Sequence, residues 1–212
     1  MASLYVNLEG GTEKAWAFLK EAAQNNKALE NSFTGTKIRL DVYDERYQEA
    51  LGRLISKPEP LYGRGVFVPY ALRCARIYRY MDKDERAKEC YEQAKDILES
   101  EIKEDPKDAR FRSSLGIAYA GLGRKEEAIR EGRYAIELMP VKKDAMRGTY
   151  RIGNLAHIYV MLGEYDKAIS QLDFLLHFPG GTSIHHLRLS PAWDPLREHP
   201  DFKQLVGDET RR

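Results

Sequence analysis

The sequence is poor in the features that would tie a chain to an oxidising compartment, a membrane or a nucleic acid. Only two cysteines, Cys74 and Cys90, occur in its 212 residues. Two thiols make no disulfide framework and lack metal-ligand spacing, so they are expected as reduced thiols within helices. No run approaches the ~20 apolar residues that a membrane span needs. Met1 to Asn7 has neither the charged nor the apolar part of a signal peptide. Charge of one sign is also lacking: 34 Lys and Arg against 33 Asp and Glu leave a net charge of +1. No global field therefore draws the chain to nucleic acid, and no repeating base-reading pattern is present. Phosphate-binding glycine loops are missing, because Gly63-x-Gly65 is too short and Gly180-Gly181 leads into no Lys-Ser/Thr pair. Gly-x-Ser-x-Gly and His-Glu-x-x-His are absent too. His185 and His186 lie near His177 and His199 in sequence, but adjacent histidines point apart and no cysteine or carboxylate set completes a site. Glu126 and Glu127 stand at a helix start, where they favour the helix dipole. These absences predict a cytoplasmic protein with no enzyme activity, metal or cofactor.

What is present is repetition, which decides the fold before any single motif does. Cys74-Ala75-x-x-Tyr78, Leu115-Gly116-x-x-Tyr119 and Leu155-Ala156-x-x-Tyr159 recur. Nine residues separate each tyrosine from the next small residue: Tyr78 from Ala87, Tyr119 from Ala128, Tyr159 from Ala168. The stretch between them recurs as Leu122-Gly123-Arg124-Lys125-Glu126-Glu127 and Leu162-Gly163-Glu164-Tyr165-Asp166-Lys167. Small residues let two helices pack closely as ridges enter grooves. The tyrosines fill the space between consecutive hairpins. Gly123 and Gly163 suit a left-handed residue ending a helix, and Asp82 with Glu85 reads as a capping box.

Two weaker copies precede these. Gly10 to Ala22 reads as a turn and a second helix, with Met1 to Leu8 as the stub of its first. Ala28 to Val42 and Asp44 to Ile55 read as another pair. Lys57-Pro58-Glu59-Pro60 breaks helix, and Gly63-Arg64-Gly65 extends the break into a loop. The expected organisation is one solenoid over 1–182, with hairpins at 1–25 (partial), 27–57, 66–104, 108–140 and 146–178. A cap over 183–206 follows. There Ser190-Pro191 and Asp194-Pro195 are expected to open helical turns. Leu187, Leu189, Trp193, Leu196, Phe202 and Leu205 are expected to cover the last hairpin, as a solenoid end requires.

The Leu-Gly/Ala-x-x-Tyr … Ala … Ala … Pro pattern resembles the tetratricopeptide repeat family over roughly residues 68–178, and less fully over 1–57. The resemblance implies an all-α, right-handed superhelical solenoid of antiparallel helix hairpins with a short C-terminal cap. Departures are Ala71, Arg112 and Ile152 where the family has a large aromatic, and Gly132 in place of another. Glu104-Asp105-Pro106, the run Leu115 to Ala128, and Leu187-Arg-Leu-Ser-Pro-Ala-Trp-Asp-Pro-Leu196 together resemble the C-terminal repeat regions of bacterial multidomain signalling proteins. In those proteins the region follows a kinase, cyclase-like or DNA-binding domain.

In this family the first helix of each hairpin lines the concave surface. Stepping round the helices from the core places Arg73, Arg76, Arg79 and Tyr80 on that side as a basic wall. Arg110, Ser113, Ser114 and Ile117 follow as a shallow floor, and Tyr150, Asn154, His157 and Met161 as a polar-aromatic wall. Arginines grip carboxylates with two prongs, and asparagine bonds a peptide backbone both ways. The expected partner is a protein or acidic peptide lying across three hairpins. The family's clamp for chaperone tails is not reproduced, because Leu72 and Ser114 occupy two of its places. Two other readings stand beside this one. The chain is a regulatory module detached from a kinase- or cyclase-type protein, since its first repeat lacks most of a helix. Alternatively it is a structural module that dimerises through an open N-terminal hairpin exposing Trp16, Phe18 and Leu19.

Overall fold

Each hairpin turns at a residue forced into left-handed backbone. Gly10, Glu45, Asp82, Gly123 and Gly163 have φ of 73, 59, 54, 74 and 74°. Each stands five positions before a buried alanine: Ala15, Ala50, Ala87, Ala128 and Ala168, none more than 4% exposed. Turn and close-packing residue therefore repeat in one register. Two copies carry the strained conformation on Glu45 and Asp82 rather than glycine, at a steric cost. Asp82 is thus the turn itself and not a cap: the helix after it begins at Asp84 and has no side-chain capping bond.

The computed structural model describes Val6 and residues 10–26, 33–63, 65–179 and 181–207. Apart from Val6, the expected stub at 1–8 lies outside them, as do the first residues of the helix expected from Ala28, and Arg64 and Gly180. The helices are α1 (Glu13–Asn25), α2 (Thr34–Tyr43), α3 (Tyr47–Ser56), α4 (Tyr70–Tyr80), α5 (Asp84–Glu104) and α6 (Ala109–Gly121). They continue as α7 (Lys125–Leu138), α8 (Ala145–Met161), α9 (Tyr165–His177), α10 (Ile184–Leu189) and α11 (Pro200–Val206), with a 3-10 turn at Pro191–Leu196. The fold is an all-α repeat of helix hairpins, as the sequence pattern predicts.

One small sheet departs from that pattern. β1 (Leu61–Tyr62) pairs antiparallel with β2 (Phe67–Val68) in the stretch expected as loop. Side chains distant in sequence hold it. Ser114 donates its hydroxyl to Phe67 O, Arg110 Nη1 donates to Gly63 O at 3.2 Å, and Arg151 Nη2 donates to Gly65 O.

The repeats share a continuous interior. Leu72, Ala75 and Leu98 pack with Leu115 and Ala118 in one cluster, and Ile158 carries contact on into the next hairpin. A Cβ on Gly116 or Gly132 would lie 2.7 or 2.9 Å from Ile158 Cδ1, so both glycines form a notch that seats it. Gly148 is tighter still, because its Cβ would fall 2.5 Å from the Val141 backbone nitrogen. Backbone cannot step aside as a side chain does, so Gly148→Ala should cost about 1–3 kcal/mol of unfolding free energy. Urea denaturation would measure it.

The C-terminal cap does more than cover one end. Leu187, Trp193, Leu196 and Phe202 join the α8–α9 core. Leu189 instead packs with Val6, Leu19, Leu40 and Tyr43 of the N-terminal hairpins. Tyr43 Oη lies 2.9 Å from His186 Nδ1, so the segment bridges both ends of the chain. Ser190-Pro191 opens the 3-10 turn as expected, but Asp194-Pro195 does not open a second one: Pro195 lies inside that turn, and the next helix opens at Pro200. The first hairpin is also less open than expected. Leu19 is 1% exposed. Trp16 donates Nε1 to Asp44 at 2.8 Å, and Arg46 stacks over its ring at 4.6 Å.

Candidate functional site: a cavity on the concave side

Between the first helices α2, α4 and α8 and the returning C-terminal segment lies a cavity of about 530 Å³. Arg39 and Tyr43 come from α2, Arg76 from α4, and Tyr150, Asn154 and His157 from α8. Leu172 and Leu175 of α9 form an apolar wall, and His186 and Trp193 of the C-terminal segment line the other side. The size and the mix of apolar wall with few polar groups suit a small ligand.

Its charge is one-sided. Among the described residues no carboxylate lines it. Arg76 has aromatic hydroxyls for neighbours: burial works against its charge, but Tyr80, then Tyr91 and Tyr43, outweigh that and leave its pKa raised. Both histidines are held neutral. Burial, then the charges of Arg39 and Arg76, pulls His186 down to about 4. Burial, then Arg76 and Arg79, holds His157 well below its ordinary 6.5. Its ring meets Trp193 edge-on, with centroids 6.0 Å apart. Asn154 donates Nδ2 to Ser113 Oγ at 2.7 Å, which fixes the amide and leaves its carbonyl oxygen as an acceptor.

Four of the twelve residues expected in the groove therefore meet in this cavity: Arg76, Tyr150, Asn154 and His157. The others do not. Arg73 donates Nη1 to Glu59 O at 3.2 Å. Arg79 is exposed outside the cavity. Tyr80 packs on Tyr47, with ring centroids 5.9 Å apart. Arg110 is committed to Asp108 at 2.5 Å. The expected floor is a correction: Ser113, Ser114 and Ile117 are at most 3% exposed. Burial on nearly every face of α6 takes them out of reach of any ligand. Met161 packs against the same core. Sequence reasoning missed Arg39, Tyr43, His186 and Trp193, because the contact of α2 with the C-terminal segment joins residues 143 positions apart.

Two other clusters were candidates for chemistry. Asp166, His199 and Asp201 bring ligand atoms within 4.8 Å of one another. The Asp166 side chain is 89% exposed, and His199 Nε2 lies 3.3 Å from its carboxylate, so the contact is an exposed surface pair. Cys74 and Cys90 meet between α4 and α5. The hydrogen bond from Cys90, against burial, brings the Cys74 thiol down to about 7, while Cys90 is raised.

The repeat register, the alanine–tyrosine packing and the concave cavity come together in α4 and α5. Residues 70–97 match a tetratricopeptide repeat model. The match covers α4, the Asp82 turn and the beginning of α5. Among curated proteins nothing matches the chain. Tetratricopeptide repeats are in general protein-interaction modules without catalysis of their own, and no described helix is long and apolar enough to cross a membrane.

Proposed function

We propose that the chain is a protein-interaction scaffold whose concave side receives an acidic segment of its partner. The observation that carries the reading is Arg76. It is a cation at the cavity wall with no described carboxylate facing it, and exposed Arg79 lies one turn further along the same helix. An arginine that faces no described carboxylate can grip an incoming one with two hydrogen bonds. The segment engages the α4 side of the concave face. It does not run across three hairpins, because the α6 floor is buried and residues 181–193 cross the space.

The test is capture of partners from the source cell by the wild-type chain and by the double variant Arg76→Glu with Arg79→Glu. Circular dichroism confirms that the variant is folded, and Arg79→Glu alone serves as a surface control. The double variant should lose the partners that the wild type retains. Retention of the same partners by the folded double variant would remove the concave face from consideration.

A further inference from the structure

The chain has two cysteines in 212 residues, and the fold brings them together. Cys74 lies on α4 and Cys90 on α5, on either side of the Asp82 turn. In the next two hairpins the equivalent places hold Leu115 with Glu131 and Leu155 with Gln171. Both places carry thiols in the α4–α5 hairpin. Cys74 is 3% exposed and belongs to a cluster with Leu54 and Ile77, against which Tyr70 and Cys90 pack. Cys90 is only partly buried, so one sulfur of the pair meets solvent. The Cys74 sulfur accepts hydrogen bonds from the Cys90 thiol and the Tyr70 hydroxyl, and it feels the charge of Arg73. Together these outweigh its burial and favour a thiolate over a thiol. Two sulfurs already in hydrogen-bond contact also meet a first requirement of a disulfide, that the side chains point at each other.

We propose that Cys74 and Cys90 are a peroxide-sensitive dithiol, which closes to a reversible disulfide across the α4–α5 hairpin. Cys90 is the sulfur that peroxide reaches. With Cys74 ionised, the Cys90 proton passes to the Cys74 sulfur along their hydrogen bond. The Cys90 thiolate attacks one peroxide oxygen: an S–O bond forms, the O–O bond breaks and hydroxide leaves. Cys74 gives its proton to that hydroxide and attacks the Cys90 sulfenic sulfur. The S–S bond forms as the S–O bond breaks. The second hydroxide takes up the proton that Cys74 first released to solvent. The thiols lose two electrons, peroxide gains them, and two waters result. A small thiol reverses the reaction by exchange. The bond ties the helix that carries Arg76 to its partner in the hairpin, but the inference does not depend on the partner reading above.

Treatment of the reduced full chain with a few equivalents of hydrogen peroxide near neutral pH tests it. After quenching, the chain is unfolded and labelled with N-ethylmaleimide. Labelling should fall from two adducts per chain to none. A non-reducing gel should still show a single chain, and trypsin should release residues 74–76 linked to residues 89–95. Dithiothreitol should restore both adducts. The same treatment in urea should close the pair roughly tenfold more slowly, because neither the thiolate nor the contact survives unfolding. Retention of both adducts by the folded chain would put the thiols beyond the reach of peroxide and overturn the inference. So would a disulfide between chains, reversible thiol loss without the linked peptide, thiol loss that dithiothreitol does not reverse, or closure in urea as fast as in the folded chain. None of these comparisons needs a variant that has to fold.

Discussion

Replacement of Arg151 by alanine should cost about 3–5 kcal/mol of folding stability, the range for removing one member of a buried charged set. Arg151 is 2% exposed and is the largest fully buried side chain among the described residues. It sits in the middle of α8, and among the described residues no carboxylate lies at ion-pair distance from it. Its Nη1 donates to Ala109 O at 2.8 Å and its Nη2 donates to Gly65 O. One guanidinium thereby fastens α8 to the first turn of α6 and to the loop of the β1–β2 hairpin. Burial brings its pKa down to about 10, with Asp108 acting in the opposite direction, so it remains charged at neutral pH. Alanine removes the donors, strands two carbonyl oxygens and leaves a cavity. Arg151→Met keeps most of the volume and removes the buried charge, whose Nε has no partner. Its cost should therefore be smaller, about 1–2 kcal/mol. Chemical denaturation ranks the two, and amide exchange locates the effect. In both variants the amides of Gly63 and Val66, which exchange hydrogen bonds across the hairpin loop, should exchange faster. Equal stability of wild type and alanine variant would show that the hairpin is held by Ser114 and Arg110 alone.

Arg151 also shows where sequence reasoning stops. On an amphipathic reading, an arginine in the first helix of a hairpin belongs to solvent or to the groove, and nothing in the local pattern marks it as buried. Its surroundings come from the β1–β2 hairpin, 86 residues earlier. That hairpin was itself hidden, because Pro58, Pro60, Gly63 and Gly65 signal a break and each strand is two residues long. The repeat register was legible because it rests on neighbours. Small residues recur where helices touch, and the left-handed turn falls five residues before each alanine. The reading of Asp82 as a cap came from residue type outweighing position. Aspartate suits a cap, but the position matches Gly123 and Gly163 in the register, and both have positive φ.

The cavity was half legible for the same reason. A helical-wheel step from the core correctly turns Arg76, Tyr150, Asn154 and His157 toward one side. It fails on Ser113, Ser114 and Ile117 because α6 is packed by α5, α7, α8 and β2 together, leaving no solvent side to face. It cannot supply Arg39 or His186. Their place depends on the C-terminal segment returning to the N-terminal hairpins, through an apolar set that looks like an ordinary cap. Leu189, which packs with the N-terminal hairpins while Leu187 joins the α8–α9 core, is part of that return.

Burial of His186 and His157 should make the fold acid-sensitive in a window above that of its carboxylates. His186 is pulled from an ordinary 6.5 to about 4 by burial, then by Arg39 and Arg76, and its neighbour across the cavity is the Tyr43 hydroxyl. His157 is lowered in the same direction by burial, then by Arg76 and Arg79. A histidine with a depressed folded pKa stays neutral in the native chain while the unfolded chain takes up a proton. Stability is therefore complete above about pH 6.5, falls as pH drops toward 4, and stops falling from this source below that. His186 alone should account for about 2–3 kcal/mol across the window, with partial exposure of the residue keeping it at the lower end. The lowered carboxylates Asp108 and Glu164 lose their preference for the ionised form only at more acid pH, so the two effects separate. Urea unfolding at roughly pH 7.5, 5.5 and 4.5 should show the midpoint decline for wild type. It should be shallower for His186→Gln, which is uncharged throughout, with the remaining slope coming from His157. The same variant loosens the bridge between the chain ends, so it should also speed amide exchange in α2 at neutral pH. A wild-type midpoint unchanged between 7.5 and 4.5 would mean that water reaches both imidazoles and that the cavity is open.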